Sequence, residues 1–443
     1  MTYYTSVHRY GNKILFRGYD SKGNRIHKRV PFKPTFYLPS KNAKSGWSAL
    51  DGSTVEPITL DSMADAQEFT KRYEDVDNFV VHGNNNFTAQ FIAEAYPGEV
   101  EYDMKHIRVG NIDIEVASDD GFPYPDQANH PIISIAYKDN RSSVWHAWGL
   151  GDYDSAKSEL GPDYLIQYRK CGSEGELIQK FLVFWQENYP DIITGWNIRL
   201  FDIPYMINRT IKVCGEETAK MFSPWKIYKY RQIGVKGKSV DAYDIYGIAQ
   251  MDYYDLFQKF GYTYGNQESY ALNHIAHVIL GEKKLSYEEH GSLHGLYKAD
   301  HQKFIDYNIR DVDLVDRIDK ETGLMDLALV IAYKGGVNYP EVFGTTGIWD
   351  SIIYRYLSER KIAVPPSKSK PKLPYPGGYV KEPRIGMSEW ITSFDLNSLY
   401  PNLIVQYNMS PETLIQYSDD IMQSGVDTYL HGAPARPTND VAV

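Results

Sequence analysis

Apolar and polar residues alternate along HIRVGNIDIEVAS, from His106 to Ser118. Ile112, Ile114 and Val116 fall on one side of an extended chain and Asp113 and Glu115 on the other, which predicts a half-buried strand carrying two carboxylates on its polar face. IISIAY and SSVWHAWGL predict two further strands. The period then changes: EGELIQKFLVFWQENYP sets Leu177, Ile178, Phe181, Leu182 and Trp185 at helical spacing. DIITGW suits a short buried strand, and FDIPYMINRTIKVCG predicts a helix opening near Asp202 and Pro204 and closing at Gly215.

Three strands, helix, strand, helix is the order of an RNase H-like α/β domain, and other α/β folds share it. Before it, KILFRGYD and FKPTFYLPS predict short strands and DSMADAQEFTKRYEDV a helix, so the first hundred residues form a small α+β domain. After it, SYALNHIAHVILGEKK and HQKFIDYNIRDVDLVDRIDKETGLMDLALVIAY predict helices. The Pro-rich VPPSKSKPKLPYPGG breaks the chain, and a different unit follows.

The 443 residues accommodate about three domains at ~100–200 residues each. With 42% hydrophobic and 23% charged residues the composition is globular. Two cysteines, Cys171 and Cys214, form no disulfide framework or zinc pattern, which points to a reducing compartment. The start shows no secretory signal, and apolar runs such as FLVFW are far short of the ~18 residues that cross a bilayer, so no membrane association is expected. A net charge of -10 is a weak argument against an obligate nucleic-acid binder. Two local runs, Lys226–Lys238 and Arg360–Lys372, are basic without an acid, and either alone reads as a solvated loop.

Asp113 and Glu115 at i and i+2 repel each other unless a cation lies between them, and Mg2+ suits an all-oxygen pair. A plain polar strand face explains the pair equally well. Asp202 opens a helix, where an Asp is most often an N-cap. GWNIRLFD, ending at Asp202, places Asn197 and Phe201 on a turn suited to an unpaired nucleotide. Acids at Asp306, Asp311, Asp313, Asp316 and Asp319 read by default as a solvated helix face, but Tyr307 and Asp311 stand one turn apart and can meet one ligand together.

These residues spell D-x-E, N-x-x-x-F-D and Y-x-x-x-D in order, accompanied by DYYDLFQKF, SYALNHIA, PGGYVKEP, DLNSLYP and NMSPET. Over essentially its whole length the sequence resembles family B DNA polymerases of the T-even-type bacteriophage branch. The resemblance implies an amino-terminal domain over 1–104 completed by 327–372, an RNase H-like 3'-5' proofreading exonuclease domain over 105–326, and the start of a polymerase palm over 373–443. It implies that Asp113, Glu115, Asp202 and Asp311 hold two Mg2+ ions, with Mn2+ able to replace them, and that Tyr307 orients the attacking water. Primer-template DNA and its single-stranded 3' end are the implied partners, with DNA contacts at Asn197, Phe201, Lys236, Lys238, Gly377, Gly378 and Tyr379. The cytoplasm of an infected bacterial host is the implied location.

SFDLNSLYP puts Asp395 at the end of an apolar-flanked strand, followed by a turn with Tyr400 and Pro401. By resemblance Asp395 is one of two polymerase metal ligands, Leu396, Asn397, Ser398 and Leu399 contact the incoming deoxynucleoside triphosphate, and Tyr400 excludes a ribose 2'-OH. The second ligand motif, Y-x-D-T-D, and the fingers motif, K-x-x-x-N-S-x-Y-G, occur nowhere in this sequence. The chain alone is therefore not expected to synthesise DNA, and a carboxy-terminal polymerase subunit or a longer chain must supply the rest. A stand-alone exonuclease with a palm remnant and a non-catalytic nucleic-acid-binding regulator are the alternatives. GVKGKS lacks the first Gly of a P-loop, having Gln232 there, and with strand-like flanks predicts a hairpin turn. His274 and His277 share a helix face without further zinc ligands and read as surface residues.

Overall fold

A computed structural model of the protein describes residues 2–74, 76, 79–117, 121–235, 238–366 and 379–410. The chain divides into two compact units, one ending at Ser369 and one beginning at Lys370. Both α-helices and β-sheets build the first unit.

The alternating stretch forms the strand Val109–Val116, in the interior of a six-stranded sheet. The spatial order is Leu165–Lys170, Val144–Gly149, Ile132–Asp139, Val109–Val116, Ile192–Thr194 and Ala249–Gln250. Ile132–Asp139 runs antiparallel to both its neighbours, and the other three pairings are parallel. Sequence periodicity had not indicated Leu165–Lys170 or the two-residue Ala249–Gln250.

The half-buried expectation for the central strand is corrected, because both its faces are covered. Ile112 and Ile114 pack with Leu177, Phe181 and Trp185 of the helix Glu174–Asn188 and with Ile203 and Ile207 of the helix Asp202–Cys214. Fully burying side chains of this size contributes ~1.5–3 kcal/mol each. The Ser173 side chain accepts from Glu176 N and starts the first of these helices, with Glu174 and Glu176 favourably placed at its positive end. The opposite face lies under the helix His301–Thr322, where Asn111 Nδ2 donates to Val312 O at 2.8 Å.

That long helix starts at Asp300, whose side chain accepts from Lys303 N, and stops at Gly323 in the left-handed region. The single helix expected over 301–333 is therefore two, the second being Leu324–Gly335. The expected solvated acidic face is also corrected: Asp306, Asp311 and Asp313 are buried. The loop crossing this helix supplies Asp306 with Tyr153 Oη and Ser158 Oγ, each at 2.7 Å, and Glu159 N at 2.8 Å. A buried carboxylate with three donors is stable where an unpaired one would not be.

Near the amino terminus, Tyr3–Tyr10, Lys13–Tyr19 and Arg25–Pro31 form an antiparallel meander. A second small sheet joins Thr35–Pro39, Thr54–Thr59 and Trp47–Ala49, and the chain returns late to add Ile362–Ala363. Asp191 ties the meander to the central sheet. Fully buried, it accepts from Tyr19 Oη at 2.5 Å and Arg108 N at 2.9 Å, and pairs with Arg25 at 3.1 Å and Arg17 at 3.5 Å. The basic run folds as the expected hairpin, Tyr228–Val235 against Lys238–Ile245.

In the second unit, residues 379–398 hold no strand, and the strand expected to end at Asp395 is corrected to irregular chain. A turn follows at Asn397 and Ser398, but Tyr400 and Pro401 lie beyond it in the first turn of the helix Leu399–Gln406, where Pro401 is tolerated because the N–H it lacks would have no intrahelical partner. Phe394, Leu396 and Tyr400 are exposed. With no strand beside it among the described residues of its unit, this exposed segment gains no ladder hydrogen bonds over those its backbone makes with water, so nothing favours a strand. No helix among the described residues is long and apolar enough to cross a membrane.

Candidate active site

The central strand and the long helix bring their carboxylates together between them. One oxygen each from Asp113, Glu115 and Asp311 lies within 4.8 Å of the others, a group able to hold a metal ion. Asp113 Oδ2 accepts from Asn308 Nδ2 at 2.6 Å, and Asn308 Oδ1 in turn accepts from Ser134 Oγ at 2.7 Å. That relay fixes both the amide and the carboxylate it holds. Lys284 reaches in from the loop after the helix Leu272–Leu280. Its Nζ lies 2.5 Å from Asp311 Oδ2 and 3.3 Å from Tyr307 Oη. Among the described residues, Asp311 Oδ1 is buried with no hydrogen-bond partner, a lone carboxylate oxygen with the chemistry of a cation ligand.

Asp202 is not the N-cap that the sequence suggested. It is the first residue of its helix, Phe201 precedes it without a side-chain cap, and Asp202 Oδ1 accepts from Ile114 N at 3.0 Å. The carboxylate is thereby turned to the central strand, between Asp113 and Glu115 in sequence, although it falls outside the tight group of three.

Burial in the first place makes all four carboxyls hard to ionise, and repulsion from the other site carboxylates adds to it at Asp113 and Glu115. Asp113 is pushed well above the ordinary range by burial and by Asp202, Asp311 and Glu115. Glu115 rises to about 8 through burial and Asp311, and Asp202 to about 7 mainly through burial. Burial also raises Asp311, against the pull of Lys284. Burial works against the charge on Lys284, yet Asp311, Tyr307 and Asp113 outweigh it and hold the ammonium charged. Burial and Asp311 keep the Tyr307 phenol protonated. A clustered set of carboxylates that resist ionisation is what a site looks like when its counter-charge is a bound cation.

The approach to this cluster is built by the turn from Gly195 to Asp202. Asp252 organises it, accepting from Asn197 N and Arg199 N at 2.9 Å each and from Tyr254 N at 3.0 Å. Asn197 adopts a left-handed backbone, φ 68°. A Cβ on Gly195 would lie 2.4 Å from Ile112 O, so only glycine lets this turn press onto the central strand. Phe201 packs against Phe122 and Tyr205, each with ring centroids 5.6 Å away, and Phe122 is exposed.

Of the residues singled out from sequence, Asp113, Glu115, Tyr307 and Asp311 converge, with Asp202 beside them and Asn197 and Phe201 on the adjoining turn. Lys284, Asn308, Ser134 and Asp252 were missed. DYYDLFQKF begins with Asp252, and Asn308 lies inside Y-x-x-x-D, so both stood within quoted motifs. Lys284 and Ser134 carried no local signal. Lys238 lies on a hairpin strand, but its side chain, Lys236, Gly377 and Gly378 lie outside the described residues. Tyr379 and Asp395 to Tyr400 belong to the second unit, where all are exposed.

Comparison with known proteins adds an independent line. A family model described as DNA polymerase family B, exonuclease domain, matches residues 84–275, and one described as DNA polymerase family B matches residues 346–435. The chain is 34% identical, over 99% of its length, to the DNA-directed DNA polymerase of Escherichia phage RB69. It is 32% identical, again over 99%, to the DNA-directed DNA polymerase of Enterobacteria phage T4. Over 73% of its length it is 26% identical to the DNA polymerase delta catalytic subunit of Plasmodium falciparum. The matches take in 50% of each phage protein and 30% of the third, so the chain spans about half the length of the phage relatives.

Proposed function

Since the chain belongs to DNA polymerase family B, we propose that its first unit carries a 3'-5' proofreading exonuclease that hydrolyses the terminal phosphodiester of a single-stranded DNA 3' end. The observation that carries this reading is the convergence of one carboxylate oxygen each from Asp113, Glu115 and Asp311 within 4.8 Å of one another. The sheet order supports an RNase H-like domain over 105–326, with an antiparallel run of three strands extended by parallel ones. The return of Ile362–Ala363 to the amino-terminal sheet supports joining 327–372 to 1–104.

Asp113, Glu115, Asp202 and Asp311 are the residues that would hold Mg2+, or Mn2+ in its place. Divalent ions, when bound there, would supply a water of lowered pKa and neutralise charge on the phosphate. Asn308 and Ser134 hold Asp113 at a fixed angle, the role an outer hydrogen-bond relay plays at such sites. Tyr307, kept protonated, donates its O–H and orients the attacking water. Phe201, with exposed Phe122 beside it, offers an aromatic surface for an unstacked base, and Asn197 borders it. Lys236, Lys238, Gly377, Gly378 and Tyr379 are proposed DNA contacts. Asp395 to Tyr400 form half of a polymerase site whose remaining ligand and triphosphate-binding lysine come from a separate carboxy-terminal chain or a continuation of this one. The phage relatives support action in the cytoplasm of an infected bacterium.

The test is a purified chain incubated with a 3'-labelled single-stranded oligonucleotide. Mg2+-dependent release of the labelled 3'-terminal residue as a 5'-mononucleotide, abolished by chelation, is the expected result, with no extension of an annealed primer-template when deoxynucleoside triphosphates are added. Binding without cleavage at any divalent concentration would favour the non-catalytic regulator instead.

A further inference from the structure

Lys284 sits on a loop, and loops wander unless something holds them. Here the loop is pinned to the long helix on both sides of the lysine. Two residues before it, the Glu282 carboxylate takes the Arg317 guanidinium in a two-pronged pair at 2.5 and 2.7 Å and also accepts from Arg310 Nη2. Arg310 is the residue before Asp311, and its other nitrogen donates to Asp313 Oδ2 at 2.8 Å. Three residues after the lysine, the Tyr287 ring meets the Tyr307 ring edge-on, centroids 5.6 Å apart. Asn273 Oδ1 accepts from Lys284 N at 2.9 Å and fixes the backbone between.

We propose that Glu282 is a positioning residue: its clamp on Arg310 and Arg317 holds Lys284 against Asp311 as a built-in counter-cation, which an arriving divalent ion displaces and which then remains poised over the site. The inference rests on the exonuclease reading only in taking Asp311 as a metal ligand. Two consequences of opposite sign follow. Releasing the clamp removes a competitor from Asp311, so metal binding tightens. It also lets the ammonium drift, so cleavage slows.

Mn2+ titrated calorimetrically into the purified full chain, its Lys284→Met variant and its Glu282→Gln variant separates the outcomes. Lys284→Met is expected to bind Mn2+ about fivefold or more tightly, and Glu282→Gln to move the same way by a smaller factor while 3'-end cleavage at saturating Mn2+ falls. A fold merely loosened by the substitution would lose Mn2+ affinity, and that result overturns the clamp. So does unchanged affinity in Glu282→Gln beside tightened Lys284→Met, which leaves the metal site itself standing. Unchanged affinity in Lys284→Met overturns the competition. If none of the three chains binds Mn2+, the metal-site reading fails first and the clamp with it.

Discussion

Two aspartates of this chain have similar sequence surroundings and opposite structural ones. Asp113 and Asp395 each stand among apolar residues in a motif of the same polymerase family. Asp113 lies on an interior strand with a second carboxylate two residues on, a third from a helix across the sheet face, an amide holding one oxygen and a lysine nearby. Asp395 is exposed on irregular chain, and no metal-binding group among the described residues includes it. Metal chemistry at carboxylates needs several oxygens held together against their own repulsion, and folding energy from elsewhere must hold them. The first unit has that surplus in its apolar clusters on both sides of the sheet.

The largest expected effect breaks the comparison at its stronger end. Asp113→Asn with Glu115→Gln should lower Mg2+-dependent 3'-end cleavage by on the order of 10^3-fold or more. The same double variant, melted without divalent ions, should be as stable as the parent or more so, because two buried groups that burial and repulsion make costly to ionise become neutral amides. Loss of cleavage accompanied by a large drop in Tm would mean that the carboxylates serve the fold. A smaller effect is expected one shell out. Asn308→Ala leaves Asp113 with its ligand atoms but without its relay, and ~10–100-fold is the expected loss in activity or metal affinity.

How much of this was legible depended on the range of the signal. Period-2 alternation named the Val109–Val116 strand, and three short motifs named Asp113, Glu115, Asp202, Tyr307 and Asp311, because those signals are local. Whether a carboxylate is solvated is not local. Asp306 looked like helix surface until the loop carrying Tyr153 and Ser158 closed over it, and Asp202 looked like a cap until its side chain was seen to serve Ile114 N. Lys284 approaches Asp311 from 27 residues away along the chain, a separation at which sequence pattern says nothing about contact. Asp395 failed in the other direction: its motif reads as a strand end, yet a strand exists only beside a partner.

The third effect is one of pH. Glu115 ordinarily titrates near 4.5 and is raised to about 8 by burial and Asp311, and Asp202 is raised from 3.8 to about 7 chiefly by burial. A folded-state pKa above the unfolded one means that the native chain holds protons the unfolded chain has lost. This contribution to stability is complete below about pH 4 and disappears as pH rises through about 7 to 8. On the proposed reading, Mg2+ bound there would replace those protons as counter-charge. The rise in Tm on adding saturating Mg2+ should therefore be larger at about pH 8 than at about pH 6, by roughly 2–4 °C, and the Asp113→Asn, Glu115→Gln variant should lose most of that difference. An equal shift at both pH values would show that the carboxylates are already ionised without metal.

The smallest expected effect tests the weaker end of the comparison, and its value lies in being close to nothing. Asp395→Asn removes an exposed charge from the second unit. Substitutions at exposed positions usually change stability by no more than ~0.5 kcal/mol. Melting temperature and 3'-end cleavage should both match the parent, since every ligand of the proposed exonuclease site lies in the first unit. If cleavage nevertheless fell in step with that of the Asp113 variant, Asp395 would belong to the nuclease and the separation of the two sites would be wrong. If it stayed unchanged here but primer extension vanished once the residues completing the palm were supplied, the two aspartates would share a chemistry and differ only in whether their neighbours are present.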